Sequence, residues 1–321
     1  MGKSLIRILK IVVSVGLLVF LVSRAGLSEI FEVARSADVS VLLWALIVYT
    51  STIIMVSWRW QLLLTSQNAK VPFSRVVSLY FIGFFFNNFL PTSIGGDIYR
   101  VWGASKDSGK MAISAASVVV ERLLGLLAVS ALAILAMLVV RQVADASICA
   151  FVLIIFGGSM VLLLALFFGR GISKFLKALT RKFSLWGLAQ KLTRFYEAVT
   201  LYRREKRILI SAFVLSIGYQ LLIVLFSYLV GRALDLGIAW QYFILFVPVT
   251  VIMSWLPISI NGVGVRETGY VLLLSKIGHS SSEALTLSLL IYGLSVLASL
   301  VGGVLYLLRG AKLPRQPTPA G

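Results

Sequence analysis

Asn87-Asn88-Phe89-Leu90-Pro91-Thr92-Ser93-Ile94-Gly95-Gly96-Asp97-Ile98-Tyr99-Arg100 is a polar stretch, broken by proline and glycine, set inside otherwise oily sequence. A spanning helix cannot run through a proline followed closely by two glycines without losing backbone hydrogen bonds, and hydrocarbon has no water to replace them. The stretch therefore reads as irregular backbone at or near membrane depth, which is tolerated only where it is buried in protein or lines a wet cavity. Transporter folds place their substrates at such breaks. A second stretch repeats the pattern: Trp255-Leu256-Pro257-Ile258-Ser259-Ile260-Asn261-Gly262 matches Phe89-Leu90-Pro91-Thr92-Ser93-Ile94-Gly95-Gly96 in order, and Arg266 stands from Pro257 as Arg100 stands from Pro91. Proline is scarce, 7 in 321 residues, so the match reads as an internal duplication of the kind that transporter folds carry.

Composition sets the class. Hydrophobic residues make up 59% and charged ones 13%, and several apolar runs reach the length that crosses a bilayer. The fold class expected is an all-α polytopic membrane protein of about 6–8 spanning helices with two re-entrant, broken segments arranged as inverted repeats. Lys and Arg number 30 against 12 Asp and Glu, an excess that in such a chain marks cytoplasmic loops and anionic headgroups rather than nucleic acid. One cysteine, Cys149, and one histidine, His279, leave no internal disulfide, no metal-ligand set and no Cys/His pair. Neither a metal nor a cofactor is expected, and the chain does not read as an enzyme.

Taken in order, Lys3, Arg7 and Lys10 precede an apolar run from Ile11 to Val22 that lacks paired small residues for cleavage, so it reads as an uncleaved first helix with a cytoplasmic N-terminus. A helix follows from about Val41 to Ser57 and ends in Trp58-Arg59-Trp60, which reads as an interfacial anchor with a snorkelling arginine. Basic residues flank the Pro91 segment on both sides, which predicts a hairpin that enters and leaves by the cytoplasmic face. Helices are expected over Met111–Val140, Ile148–Phe168, Ile208–Val230, Tyr242–Trp255 and Ala284–Leu308. Residues 169–207 are strongly basic with apolar residues at three-to-four spacing, an amphipathic segment expected to lie on the cytoplasmic leaflet. Along the last helix Ser288, Ser295, Ser299, Gly302 and Tyr306 form a small-residue side suited to close packing. Residues 1–313 form a single membrane domain, and 314–321 read as a disordered tail. A cytoplasmic C-terminus requires the Pro257 segment to be entered from the external side, opposite to the Pro91 segment.

Few acidic residues lie within or beside spanning sequence. Asp97, Glu121 and Glu267 do, accompanied by Arg100, Arg122 and Arg266. Charge at membrane depth is costly and faces a cavity or an opposite charge. Asp97 also has the setting of a helix cap, and Glu267 stands where it can neutralise Arg266 or Arg100. Glu121 and Arg122 point about 100° apart on a helix and so pair with other segments. Helices resuming after the glycines would aim N–H groups at the cavity, and with Arg100 and Arg266 they suit a phosphate. The candidate substrate-binding set is Asn87, Asn88, Pro91, Ser93, Gly95, Gly96, Asp97, Arg100, Glu121, Arg122, Pro257, Ser259, Asn261, Gly262, Gly264, Arg266 and Glu267.

Trp58-Arg59-Trp60, then Asn88-Phe89-Leu90-Pro91 with Gly96-Asp97 and Arg100, then Glu121-Arg122-Leu123, then Pro257-x-Ser259 with Gly262-Val263-Gly264-Val265-Arg266-Glu267 together resemble the lysylphosphatidylglycerol synthase transmembrane family, also described as flippase-like. The resemblance covers nearly the whole chain. It implies an inner- or plasma-membrane protein similar to the lipid-translocating part of those bifunctional proteins, moving a phospholipid or a polyprenyl-phosphate-linked lipid between leaflets. Bifunctional members carry a soluble aminoacyl-transfer domain after the membrane part, whereas this chain stops soon after Arg309, so synthase activity is not carried over. Anionic or phosphate-bearing lipids are the expected partners. A membrane enzyme acting on lipid phosphates, a scaffold docking a cytosolic enzyme on the basic segment, and homo-oligomerisation are the alternatives left open at this point.

Overall fold

The computed structural model describes residues 15–16, 18–89, 95–168, 186–256, 258–259 and 261–308. The regular elements among them are all helical: α1 Leu27–Arg35, α2 Val39–Ser66, α3 Phe73–Phe89, α4 Gly95–Ser108, α5 Met111–Val139, α6 Ala146–Phe168, α7 Trp186–Leu201, a 3-10 turn Tyr202–Arg204, α8 Lys206–Ala233, α9 Trp240–Trp255, α10 Val265–Ser275 and α11 Ser281–Leu308. Five of these, α2, α5, α6, α8 and α11, are long and apolar enough to cross a membrane. The expectations for Pro91, Ser93, Pro257, the start of the run from Ile11, residues 169–185 of the basic segment and the tail lie outside the described residues.

Each proline-containing break joins two short helices into a hairpin. In the first, a Cβ on Gly96 would run into the Gly83 carbonyl, one on Gly103 would run into Leu79, and Arg75 pairs with Asp107 at 2.8 Å. Numbers rise along α3 as they fall along α4, so both ends of the pair lie together. The second hairpin has the same form: Gly262 lies on Ser254, and a Cβ on Gly269 would sit 3.0 Å from Thr250 and 3.1 Å from Met253. Asn261, Gly262 and Gly264 have φ of 54°, 75° and 84°, the left-handed region that glycine enters freely and asparagine tolerates. These residue types are therefore what lets the chain turn there. Gly96→Val, which puts a branched side chain on the Gly83 backbone, is expected to destabilise the protein by about 1–3 kcal/mol, read as an earlier thermal midpoint in detergent.

The duplication extends beyond the two breaks. Helices α2, α3, α4 and α5 have 28, 17, 14 and 29 residues, and α8, α9, α10 and α11 have 28, 16, 11 and 28. Neighbours repeat too: the hairpin of each half packs against the last helix of the other, α3 on α11 and α9 on α5. Gly302 on α11 lies so close to the Phe81 carbonyl on α3 that no side chain fits between them, which is the close packing expected of the small-residue side. The halves are inverted. Met55 lies against Gly218, Arg59 bonds Ser216 and Tyr202 bonds the Leu63 carbonyl, so α2 and its counterpart α8 run antiparallel.

Polar residues divide between the two ends. The end where Lys110 bonds the Gln67 carbonyl and Arg75 meets Asp107 also carries Lys70, Lys106, Arg203, Arg204, Lys206 and Arg207. At the other end Asp38 bonds Ala233 through its backbone, and Lys276 pairs with Asp145, a bond that holds this carboxyl below its ordinary pKa. Part of the basic segment differs from expectation. Ala198, Val199 and Tyr202 are buried against Leu63, Ala116, Val120 and Leu124, so this apolar side faces the bundle, where protein rather than lipid covers it.

Candidate functional site

The tips of the two hairpins meet. Asn261 Nδ2 donates to Asn88 Oδ1 at 3.2 Å, joining positions 173 residues apart. Beside this contact lies a cavity of about 670 Å³ walled by α2, α3, α4, α5, α8 and the end of α9.

One wall is charged. Glu121, 1% exposed, accepts from Arg59 Nη2 at 2.8 Å, from Tyr80 at 2.7 Å and from Arg100 Nη2. Arg59 gives its other terminal nitrogen to Ser216 at 2.8 Å. Arg100 reaches Asp97 at 3.3 Å and lies over the rings of Trp60 and Tyr80, at 4.3 and 3.8 Å from their centroids. The second Asp97 oxygen takes Arg122 in a fork, Nε at 2.9 Å and Nη2 at 2.7 Å. Three guanidinium groups therefore face two carboxylates, and one positive charge is left over. Arg122, its side chain 40% exposed against 4% for Arg100, is the arginine that presents this excess to the cavity.

The position of Arg59 corrects the reading of it as an interfacial anchor. It is 6% exposed and ion-paired, Trp60 is fully buried with its indole N–H on Ser117 at 2.9 Å, and Trp58 alone of the three stands exposed. Helix α2 accordingly continues to Ser66 rather than ending near Ser57. A cation with a buried carboxylate partner has no need to reach the headgroups.

The structure gathers Asn87, Asn88, Asp97, Arg100, Glu121, Arg122 and Asn261 on the cavity. Gly96 sits behind them, its N–H donated to Asn87 Oδ1 at 2.9 Å. Gly95 opens α4, and Asp97 in the first turn serves as an ion-pair partner rather than as a cap. Arg266 and Glu267 form a cluster of their own: they pair with each other, Arg266 lies 4.3 Å from the Tyr292 ring centroid and reaches Ser288 at 3.3 Å, and Glu267 accepts the Gly264 N–H at 2.6 Å. Neither lines the cavity. Gly262 shapes the turn, and the buried Ser259 hydroxyl has no partner among the described residues. One N–H at each helix start is thus taken from within, by Asn87 and by Glu267.

Sequence reasoning missed Tyr80, Ser216, Tyr219 and Gln220, which line or support the site. A signal existed for the three on α8: polar side chains inside an apolar span are expensive and mark a polar interior.

Comparison with known proteins places the chain among membrane proteins. The family model for the lysylphosphatidylglycerol synthase TM region matches residues 7–303. The chain belongs to that family. A similar protein, a UPF0104 membrane protein of Pyrococcus horikoshii, is 30% identical over 135 residues, covering 41% of this chain and 40% of that protein. This member of the family is an integral membrane protein, with the family match running through both halves of the inverted arrangement.

Proposed function

We propose that this protein is a membrane lipid translocase that moves a phospholipid or a polyprenyl-phosphate-linked lipid between leaflets, passing its headgroup through the cavity where the two hairpins meet. The observation that carries this reading is the cavity wall of three arginines and two carboxylates, with Arg122 uncovered on its surface. Excess positive charge in a low-dielectric interior attracts a phosphate strongly. Inverted halves meeting at paired broken segments are the architecture in which transporters hold substrates near the midplane, so both hairpins read as re-entrant. The basic end is then cytoplasmic, in an inner or plasma membrane. Transfer of a headgroup requires no covalent step, and the role proposed is transport without catalysis.

The test is reconstitution of the full chain into vesicles carrying fluorescently labelled phosphatidylglycerol in both leaflets, followed by an external reductant that bleaches accessible dye. Translocation predicts loss of the protected inner-leaflet signal in protein-containing vesicles. Protection equal to that of empty vesicles, for labelled phosphatidylglycerol and for a labelled polyprenyl phosphate alike, would overturn the proposal.

A further inference from the structure

The groups that a cationic headgroup requires are already taken. Both cavity carboxylates are bound by arginine: Glu121 by Arg59 and Arg100, Asp97 by Arg100 and Arg122. The aromatic faces are occupied as well. Tyr80 lies under Arg100 at 3.8 Å, Tyr219 near Arg59 at 5.9 Å and Trp255 near Arg122 at 5.8 Å, while the remaining lining ring, Phe84, packs on Tyr49. An ammonium group entering here finds excess positive charge, carboxylates already paired, and three of the four lining rings already beside a guanidinium.

The rest of the lining is neutral and hydrogen-bonding. Asn87, Asn88, Gln220 and Asn261 bring four amide side chains to the cavity, with Ser254 beside them. Two of these amides are incompletely used among the described residues: Gln220, 1% exposed, has no partner for Oε1 and Asn88 none for Nδ2, and since neither atom carries accessible surface each amide turns to meet a ligand. A buried amide atom without a partner carries a desolvation penalty that a ligand hydroxyl relieves. Hydroxyls suit such a wall because they both donate and accept. The volume of about 670 Å³ is in the range of sites that enclose a whole small molecule rather than a single phosphate.

We infer that the cavity selects an anionic lipid headgroup in which the phosphate carries an uncharged polyol, such as glycerol, inositol or a sugar, and discriminates against aminoacylated and ammonium-bearing headgroups. Phosphate is met by Arg122 and the hydroxyls by Gln220 and Asn88. This rests on the lipid-translocase reading and narrows its substrate class. It also separates this chain from the substrate that the family's description suggests, whose lysyl group adds positive charge.

Binding is measured on the full chain in phosphatidylcholine nanodiscs, using tryptophan fluorescence to follow titration with short-chain phosphatidylglycerol, phosphatidic acid and lysylphosphatidylglycerol. Phosphatidylglycerol is expected to bind about tenfold tighter than either of the others. Gln220→Leu is expected to remove most of its advantage over phosphatidic acid, and Gln220→Glu to shift preference toward the lysyl lipid, a gain that a misfolded variant would not show. Equal or tighter binding of lysylphosphatidylglycerol by the unmodified chain overturns the charge argument. Phosphatidic acid matching phosphatidylglycerol, with Gln220→Leu silent, overturns the polyol argument. Displacement of the lipid by equimolar glycerol phosphate assigns the chemistry to a soluble solute, and no saturable binding of any lipid overturns the translocase reading itself.

Discussion

Glu121→Ala is expected to lower stability by about 3–5 kcal/mol, because it leaves two buried guanidinium groups without their common partner. Arg59 and Arg100 are 6% and 4% exposed, and of the two only Arg100 has a second carboxylate, Asp97, which it shares with Arg122. Four elements converge on this one side chain: α2 through Arg59, α3 through Tyr80, α4 through Arg100, and α5, which carries Glu121 itself. The loss should therefore loosen the first hairpin against α2 as well as lower the thermal midpoint in detergent. The double variant Glu121→Ala with Arg59→Leu provides the decisive comparison. Removing both charges deletes the uncompensated cation along with its partner, so the pair should be less destabilised than the sum of the single changes. An additive result would mean that Glu121 supports the fold by packing alone.

How far the sequence discloses this arrangement depends on the range of the interaction. The second break was legible because proline and glycine act on their own backbone: α9 ends at Trp255, two residues before Pro257. Inversion was legible from charge bias, and the antiparallel α2 and α8 bear it out. The extent of the repeat was not, because equal helix lengths leave little mark in a sequence where most residues face lipid or an apolar core. Nor was the fate of Arg59. Its partner lies 62 positions away on α5, and an arginine between two tryptophans looks the same in sequence whether its carboxylate is buried or its head reaches the interface. The separation of Arg266 from Arg100 was hidden for a different reason. The second half lacks an acid at the place of Glu121 on its last helix, offering Ser288 instead, so Arg266 is neutralised by its own neighbour Glu267 and the halves differ in chemistry while agreeing in shape.

Arg122→Gln is expected to weaken binding of an anionic headgroup by about 10- to 100-fold, the value of one charge-assisted hydrogen bond of about 1.5–3 kcal/mol, while changing thermal stability little. The contrast with Glu121 follows from exposure. Arg122 is 40% exposed at its side chain, its contact with Asp97 is backed by a second arginine on the same carboxylate, and the gap left by the shorter glutamine opens to the cavity. A partly exposed ion pair contributes roughly 0–1 kcal/mol to the fold. Removing Arg122 nevertheless takes away the single excess charge of the cavity, leaving two guanidinium groups balanced by two carboxylates. Arg122→Lys keeps the charge but loses the planar fork, so it should recover part of the affinity and remain below the unmodified protein. Asp97→Asn moves the balance the other way, to two excess charges, and should tighten binding of the same lipid. Titration of all three variants with phosphatidylglycerol, at low and at raised salt, separates the explanations. If affinity follows net charge in the order Asp97→Asn, unmodified, Arg122→Gln, the cavity works as an electrostatic receptor for phosphate; if Arg122→Gln binds as the unmodified protein does, the excess charge is not what holds the headgroup.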